Sequence, residues 1–184
     1  MSDATSDTLG SGLVFEGRLP LRWHVVDAAP DWLALHAANI EVLRVVTAME
    51  DQGASQHHGE DSERHPEISR LEAKMDILLD LVCQFLRRQD ALPAPVPVRM
   101  SATSIEWIAA EPPPADAQLL LDLYLHDSYP RPIRLPGEVR DVATVPGGFR
   151  VLAAFGAMDE AVKDWLERLI FRYHRRSIAS HRRS

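Results

Sequence analysis

A chain of 184 residues, 46% apolar, is long enough for one packed domain and too short for several. Its formal charge of −7 argues against general nucleic-acid binding, no run approaches the roughly 18 apolar residues of a membrane span, and the N-terminus lacks the basic-then-apolar pattern of a signal peptide. Cys83 is the single cysteine, which excludes an intrachain disulfide framework and fits a reducing cytoplasm.

Residues 1–12 are rich in Ser, Asp, Thr and Gly and are predicted to be a disordered tail, leaving 13–184 as a single domain. Leu13–Val26 reads as an extended segment in which Leu19, Leu21, Trp23 and Val25 alternate with Arg18, Arg22 and His24. Pro20 suits an edge position or a strand start. Asp31 is placed to cap a helix running to about Glu50. Its apolar stripe is broad, as expected of a helix packed on two sides, although Leu35, Asn39, Val42, Val46 and Met49 also trace a narrower seam.

Asp51–Pro66 is a polar loop. His57, His58 and His65 lie in it among acids, but their spacing fits no tight ligand set, and no metal site is expected. The next segment carries the clearest signal in the chain. Ile68, Leu71, Met75, Leu78, Val82, Phe85 and Gln89 are spaced three, four, three, four, the a and d positions of a heptad. A helix over Glu67–Gln89, about 33 Å long, would present one apolar seam suited to another helix. Leu79 and Leu86 at e positions and Leu81 at a g position widen that seam beyond a dimer's need and favour a higher-order bundle. The two helices form a hairpin-like insert over about 31–90, and self-assembly into a homotetramer is predicted, with a dimer as the alternative.

Leu-Pro-Ala-Pro-Val-Pro at 92–97 ends the helix and leads into extended chain. Val98–Ala109, Gln118–His126, Gly137–Thr144 and Phe149–Phe155 read as strands, with Arg131–Pro136 as a turn region and Pro146-Gly147-Gly148 as a hairpin turn. Met158 to about Ser177 is an amphipathic helix with Val162, Trp165, Leu166, Leu169, Ile170 and Tyr173 on its apolar side. Arg168–Ser184 holds six arginines and no acid. Short strands closed by a C-terminal helix suggest a small β-barrel in an α+β protein.

The order of Arg18-Leu19-Pro20-Leu21-Arg22, the strand around Met100-Ser101-Ala102-Thr103-Ser104-Ile105, the Leu119–Leu125 strand, Gly137-Glu138-Val139, Gly147-Gly148-Phe149 and the helix ending Arg172-Tyr173-His174-Arg175-Arg176 resembles the PilZ domain. The resemblance spans about Leu13 to Arg176. It implies a six-stranded antiparallel barrel with a C-terminal helix, and the heptad insert is similar to that of the tetrameric, atypical branch. It also implies a non-catalytic role in cyclic di-GMP-linked control of motility or virulence, with cyclic di-GMP as a possible ligand and no other cofactor.

Two patterns carry the nucleotide in typical members. Arg-x-x-x-Arg is matched by Arg18 and Arg22, whose planar forks suit phosphate and guanine. In Asp/Asn-x-Ser-x-x-Gly only Ser101 matches. Arg99 reverses the charge at the first position, and Ser104 adds a side chain where glycine is expected. The resemblance therefore makes Arg18, Arg22 and Ser101 the candidate ligand residues, and the departures favour a barrel that serves as a protein-interaction platform for a partner unknown. No enzyme signature is present. An unrecognised hydrolase centred on Asp122 and His126, with Asp127 nearby, is the remaining alternative.

Overall fold

The computed structural model describes residue 9 and residues 13–27, 31–55, 66–89, 91–126 and 129–181. Six strands, β1 (Phe15–Val25), β2 (Pro95–Met100), β3 (Ser104–Ala109), β4 (Gln118–Leu123), β5 (Ile133–Val145) and β6 (Gly148–Phe155), close into a barrel in the order β1-β2-β3-β6-β5-β4. Every neighbouring pair is antiparallel. Helices α1 (Trp32–Ser55) and α2 (Pro66–Gln89) are inserted between β1 and β2, and α3 (Glu160–His181) follows the barrel.

Closure depends on β1 changing partners. Phe15 to Pro20 pair with β2, and Leu21 to Val25 pair with β4. Pro20 occupies the hand-over, where its carbonyl accepts from Tyr124 N at 3.1 Å and the missing N–H is least disruptive. Pro95 and Pro97 are tolerated in β2 for a similar reason, since the β2–β3 ladder begins only at Val98.

Two strand boundaries differ from the sequence reading. Val98–Ala109 is two strands, not one. Ser101 Oγ accepts from the Thr103 and Ser104 amides at 3.2 and 3.1 Å, and Ser101 N donates to Ser104 O, so the hydroxyl folds the chain into a hairpin. Ile133–Pro136, read as part of a turn, is the start of β5. Ile133 and Leu135 are fully buried on alternate positions, and the surrounding prolines masked that period. At the β5–β6 turn the expected hairpin is present, with Gly147 at φ 91°. A side chain on Gly148 would collide with the Ala109 carbonyl.

Leu21, Ile105, Trp107, Leu121, Leu135 and Val151 are among the side chains filling the barrel. Asp31 Oδ1 caps α1 by accepting from Leu33 N and Ala34 N at 3.1 and 3.3 Å. Helix α1 packs on α3 and β5, which accounts for its broad stripe, and α3 packs on β1. Asn39 is not part of a helix seam. It is buried, and its amide both accepts from Arg134 N and donates to Arg134 O at 2.8 Å. β6 pairs with β5 only from Gly137 onward, so Asn39 stands in for the missing strand at the uncovered edge of β5. His57, His58, His65 and Asp127 lie outside the described residues, as do residues 1–12 apart from Leu9, which is buried.

Candidate functional site

The heptad seam lies on α2 as the spacing predicts, and the fold leaves it open. Leu71, Met75, Leu78, Val82 and Phe85 are between 53% and 62% exposed, and Leu81 beside them is 55% exposed. Leu79, expected to widen the seam, instead packs toward the core, and Cys83 is buried in it, so α2 attaches to the domain along the flank beside the seam. The side chains of Ile68, Leu86 and Gln89 are not among those described.

The arginine and serine candidates do not meet. Arg18 and Arg22 share the outward face of β1, as residues four apart on a strand must. The register sets Phe15 opposite Met100, which puts Ser101 one step beyond. At about 3.3 Å per residue, Arg18 and Arg22 sit roughly 13 Å and 26 Å along β1 from that level. Both arginines reach toward the segment that brings the chain from α2 back to the barrel. Arg18 Nη2 donates to Pro95 O at 2.7 Å and Arg22 Nη2 donates to Ala91 O at 3.3 Å. Their first structural role is to latch this linker.

Arg99 belongs to a different set. Its Nε donates to Glu16 Oε1 at 2.8 Å, and its Nη1 lies 3.7 Å from Glu106. Glu106 also faces Arg150 at 3.9 Å, and Arg150 lies 4.0 Å from Asp141. Five alternating charges thus cross β1, β2, β3, β6 and β5 on the outer face. The cation that replaces the acid of the family pattern is balanced on both sides. Ser104, where the pattern has glycine, turns its hydroxyl to Ser101 Oγ at 3.0 Å and to Leu9 O at 3.3 Å. Ser101 is buried and its hydroxyl is engaged in the turn.

The acid–histidine group on β4 is also divided. Asp122 is buried and holds Arg134 Nε at 3.2 Å, with His24 Nε2 at 3.9 Å. Arg22 and Arg134 flank it in register on the two adjacent strands. His126 lies past the strand end, bridged to Tyr129. No group of three or more metal-ligating side chains occurs among the described residues.

Two concavities flank α3. One, about 440 Å³, lies between α1, β5 and the start of α3 and contains His36, Asn39 and Asp159. The other, about 950 Å³, runs between the β2–β3 turn and α3 and is bordered by Ser101, Thr103, Arg168 and Phe171. Neither includes Asp122 or His126. Sequence reasoning did not single out Asn39 as an edge cap, nor Phe171 as a site residue. For Phe171 the signal was present, an aromatic ring between Arg168 and Arg172 on a basic helix.

Residues 43–183 match the family of atypical PilZ domains, described as cyclic di-GMP receptors. Among solved structures, the chain is similar to a pathogenic protein of Xanthomonas campestris, described as a tetrameric PilZ domain self-assembled via an unusual helical bundle. The two are 27% identical with a TM-score of 0.76, over 92% of this chain and 91% of that one. No curated protein matches the chain.

Proposed function

The chain belongs to the atypical PilZ domain family, and we propose that it is a non-catalytic cytoplasmic signalling adaptor, a homotetramer held by α2 that displays its barrels to other proteins in cyclic di-GMP-linked control of motility or virulence. The observation that carries this reading is the open seam. Full burial of a large apolar side chain is worth roughly 1.5–3 kcal/mol, so five that remain more than half exposed leave on the order of 5 kcal/mol per protomer unrealised in the monomer. Cys83 and Leu79 join α2 to the core along one flank, so the seam residues face outward from a packed helix. Leu81 widens it, which supports four helices over two, and the Xanthomonas relative is described as assembling through a helical bundle. Leu78→Asp places a charge in the seam. Light scattering is expected to show the mass fall from about four protomers to one with the barrel still folded, and an unchanged mass would overturn the assembly.

A second reading is a direct cyclic di-GMP receptor using Arg18, Arg22 and Ser101. It draws support from the family's description as receptors. Against it stand the balanced Arg99, the engaged Ser101 hydroxyl and the separation of the serine from the arginines. Isothermal titration decides between them. No heat of binding is expected, and micromolar affinity lost in Arg22→Ala would replace the platform with the receptor.

A further inference from the structure

Among the described residues outside α2, the exposed large apolar side chains are Leu13, Val25, Leu33 and Phe171, and two of them border one groove. Leu13 is 41% exposed and Phe171 is 50% exposed, and both line the 950 Å³ groove between the β2–β3 turn and α3. Its α3 wall carries Arg168, Lys163 (4.0 Å from Glu160) and Arg172 (donating to Thr47 Oγ1 of α1), with Glu167 as the lining acid. Arg168 is exposed and forms no ion pair among the described residues. Beyond the groove the same helix continues basic, with the Arg175 guanidinium 5.9 Å from the Phe171 ring centroid. The groove is therefore a local cationic and apolar surface on a chain of net charge −7.

We propose that this groove docks an acidic amphipathic peptide segment of a partner protein. The inference rests on the adaptor reading and names the surface through which the adaptor acts. Lys163, Glu167 and Phe171 follow one another at four-residue spacing, and Arg168 and Arg172 form the adjacent row. Together they span about 13 Å of helix, or two and a half turns. A partner helix of that length would set its apolar face over Phe171 and Leu13 and its carboxylates against Arg168 and Lys163, in the helix-in-groove manner. The volume lies at the upper end of what small ligands occupy. A long polyanion such as nucleic acid is disfavoured by the net negative charge of the rest of the chain.

The test uses the full chain and fluorescence anisotropy with a designed library of labelled amphipathic peptides of about 15 residues, long enough to form a helix. The library varies the apolar anchors and carries Glu on the polar face, and a matched set carries Lys. Members of the Glu set are expected to bind saturably, with the Lys set at least tenfold weaker. Arg168→Glu and Phe171→Ser, both at exposed positions, are each expected to weaken binding about tenfold, while Arg131→Glu, away from the groove, leaves it unchanged. Failure of the whole Glu set, equal binding of both sets, or indifference to both groove substitutions would overturn the proposal. Binding of cyclic di-GMP that is lost in Arg168→Glu, with no peptide bound, would assign the groove to a nucleotide instead. Light scattering on the same samples separates the two readings. An intact tetramer without peptide binding removes the groove alone, and peptide binding by a monomer removes the assembly alone.

Discussion

Helices α2 and α3 are of similar length and both carry an apolar stripe, yet they meet opposite fates. In α3, Val162, Leu166 and Leu169 are buried against the barrel and α1, while Leu71, Met75 and Leu78 of α2 face outward. The spacing explains the difference. Val162, Leu166, Leu169, Ile170 and Tyr173 make a broad stripe that can cover a curved sheet and a second helix at once. A three-four repeat makes a straight seam, here widened by Leu81, that suits other helices rather than a curved sheet. Periodicity therefore states that a face will be buried, and its shape indicates by what.

That contrast can be broken most sharply at Leu166. Leu166→Ala opens a cavity under α3 and is expected to cost about 3 kcal/mol, the same at every protein concentration. Met75→Ala on α2 is expected to lower stability only insofar as it weakens assembly, so its apparent effect should change with protein concentration. Denaturant titrations at two concentrations compare them, and a concentration-independent loss at Met75 would mean that the seam itself is covered within its own protomer. Asn39→Ala sharpens the picture for α1. It strips two hydrogen bonds from a buried β5 edge and is expected to lower stability by about 2 kcal/mol, read as a shift in denaturation midpoint. Replacement without loss would show that water or Arg134 itself covers the edge. Smallest is Asp31→Ala, which removes the α1 cap and is expected to lower stability by about 1 kcal/mol in thermal unfolding.

Much of the fold was legible because it was written in short-range periods. The heptad of α2, the capped start of α1 and the glycine turn before β6 each follow from residues within one segment. The sixth strand was not, because Ser101 splits Val98–Ala109 through a side-chain bond to its own backbone, and no alternation marks that bond. The opening of β5 was hidden by prolines at 132 and 136, whose cost depends on which neighbouring strand is present. The candidate site was less legible still. Arg18, Arg22 and Ser101 share a family pattern, but only the register shows that the serine lies well along the strand from the arginines. Arg99 is likewise interpretable only once Glu16 and Glu106 are known to stand beside it on the adjoining strands.

The arginine latch has a consequence for how this linker can drift. Arg18 and Arg22 hold the oxygens of Pro95 and Ala91, which are main-chain atoms that any residue supplies. Exchanging the side chains between α2 and β2 leaves both acceptors in place, whereas inserting or deleting a residue between Ala91 and Pro95, which the register pairs with Pro20, slides a different carbonyl beneath Arg22 while Arg18 keeps its own. The connection is thus measured like a ruler, by how many residues it contains and hardly by which ones, and a single-residue change in its length would re-aim α2 relative to the barrel more than any substitution within it.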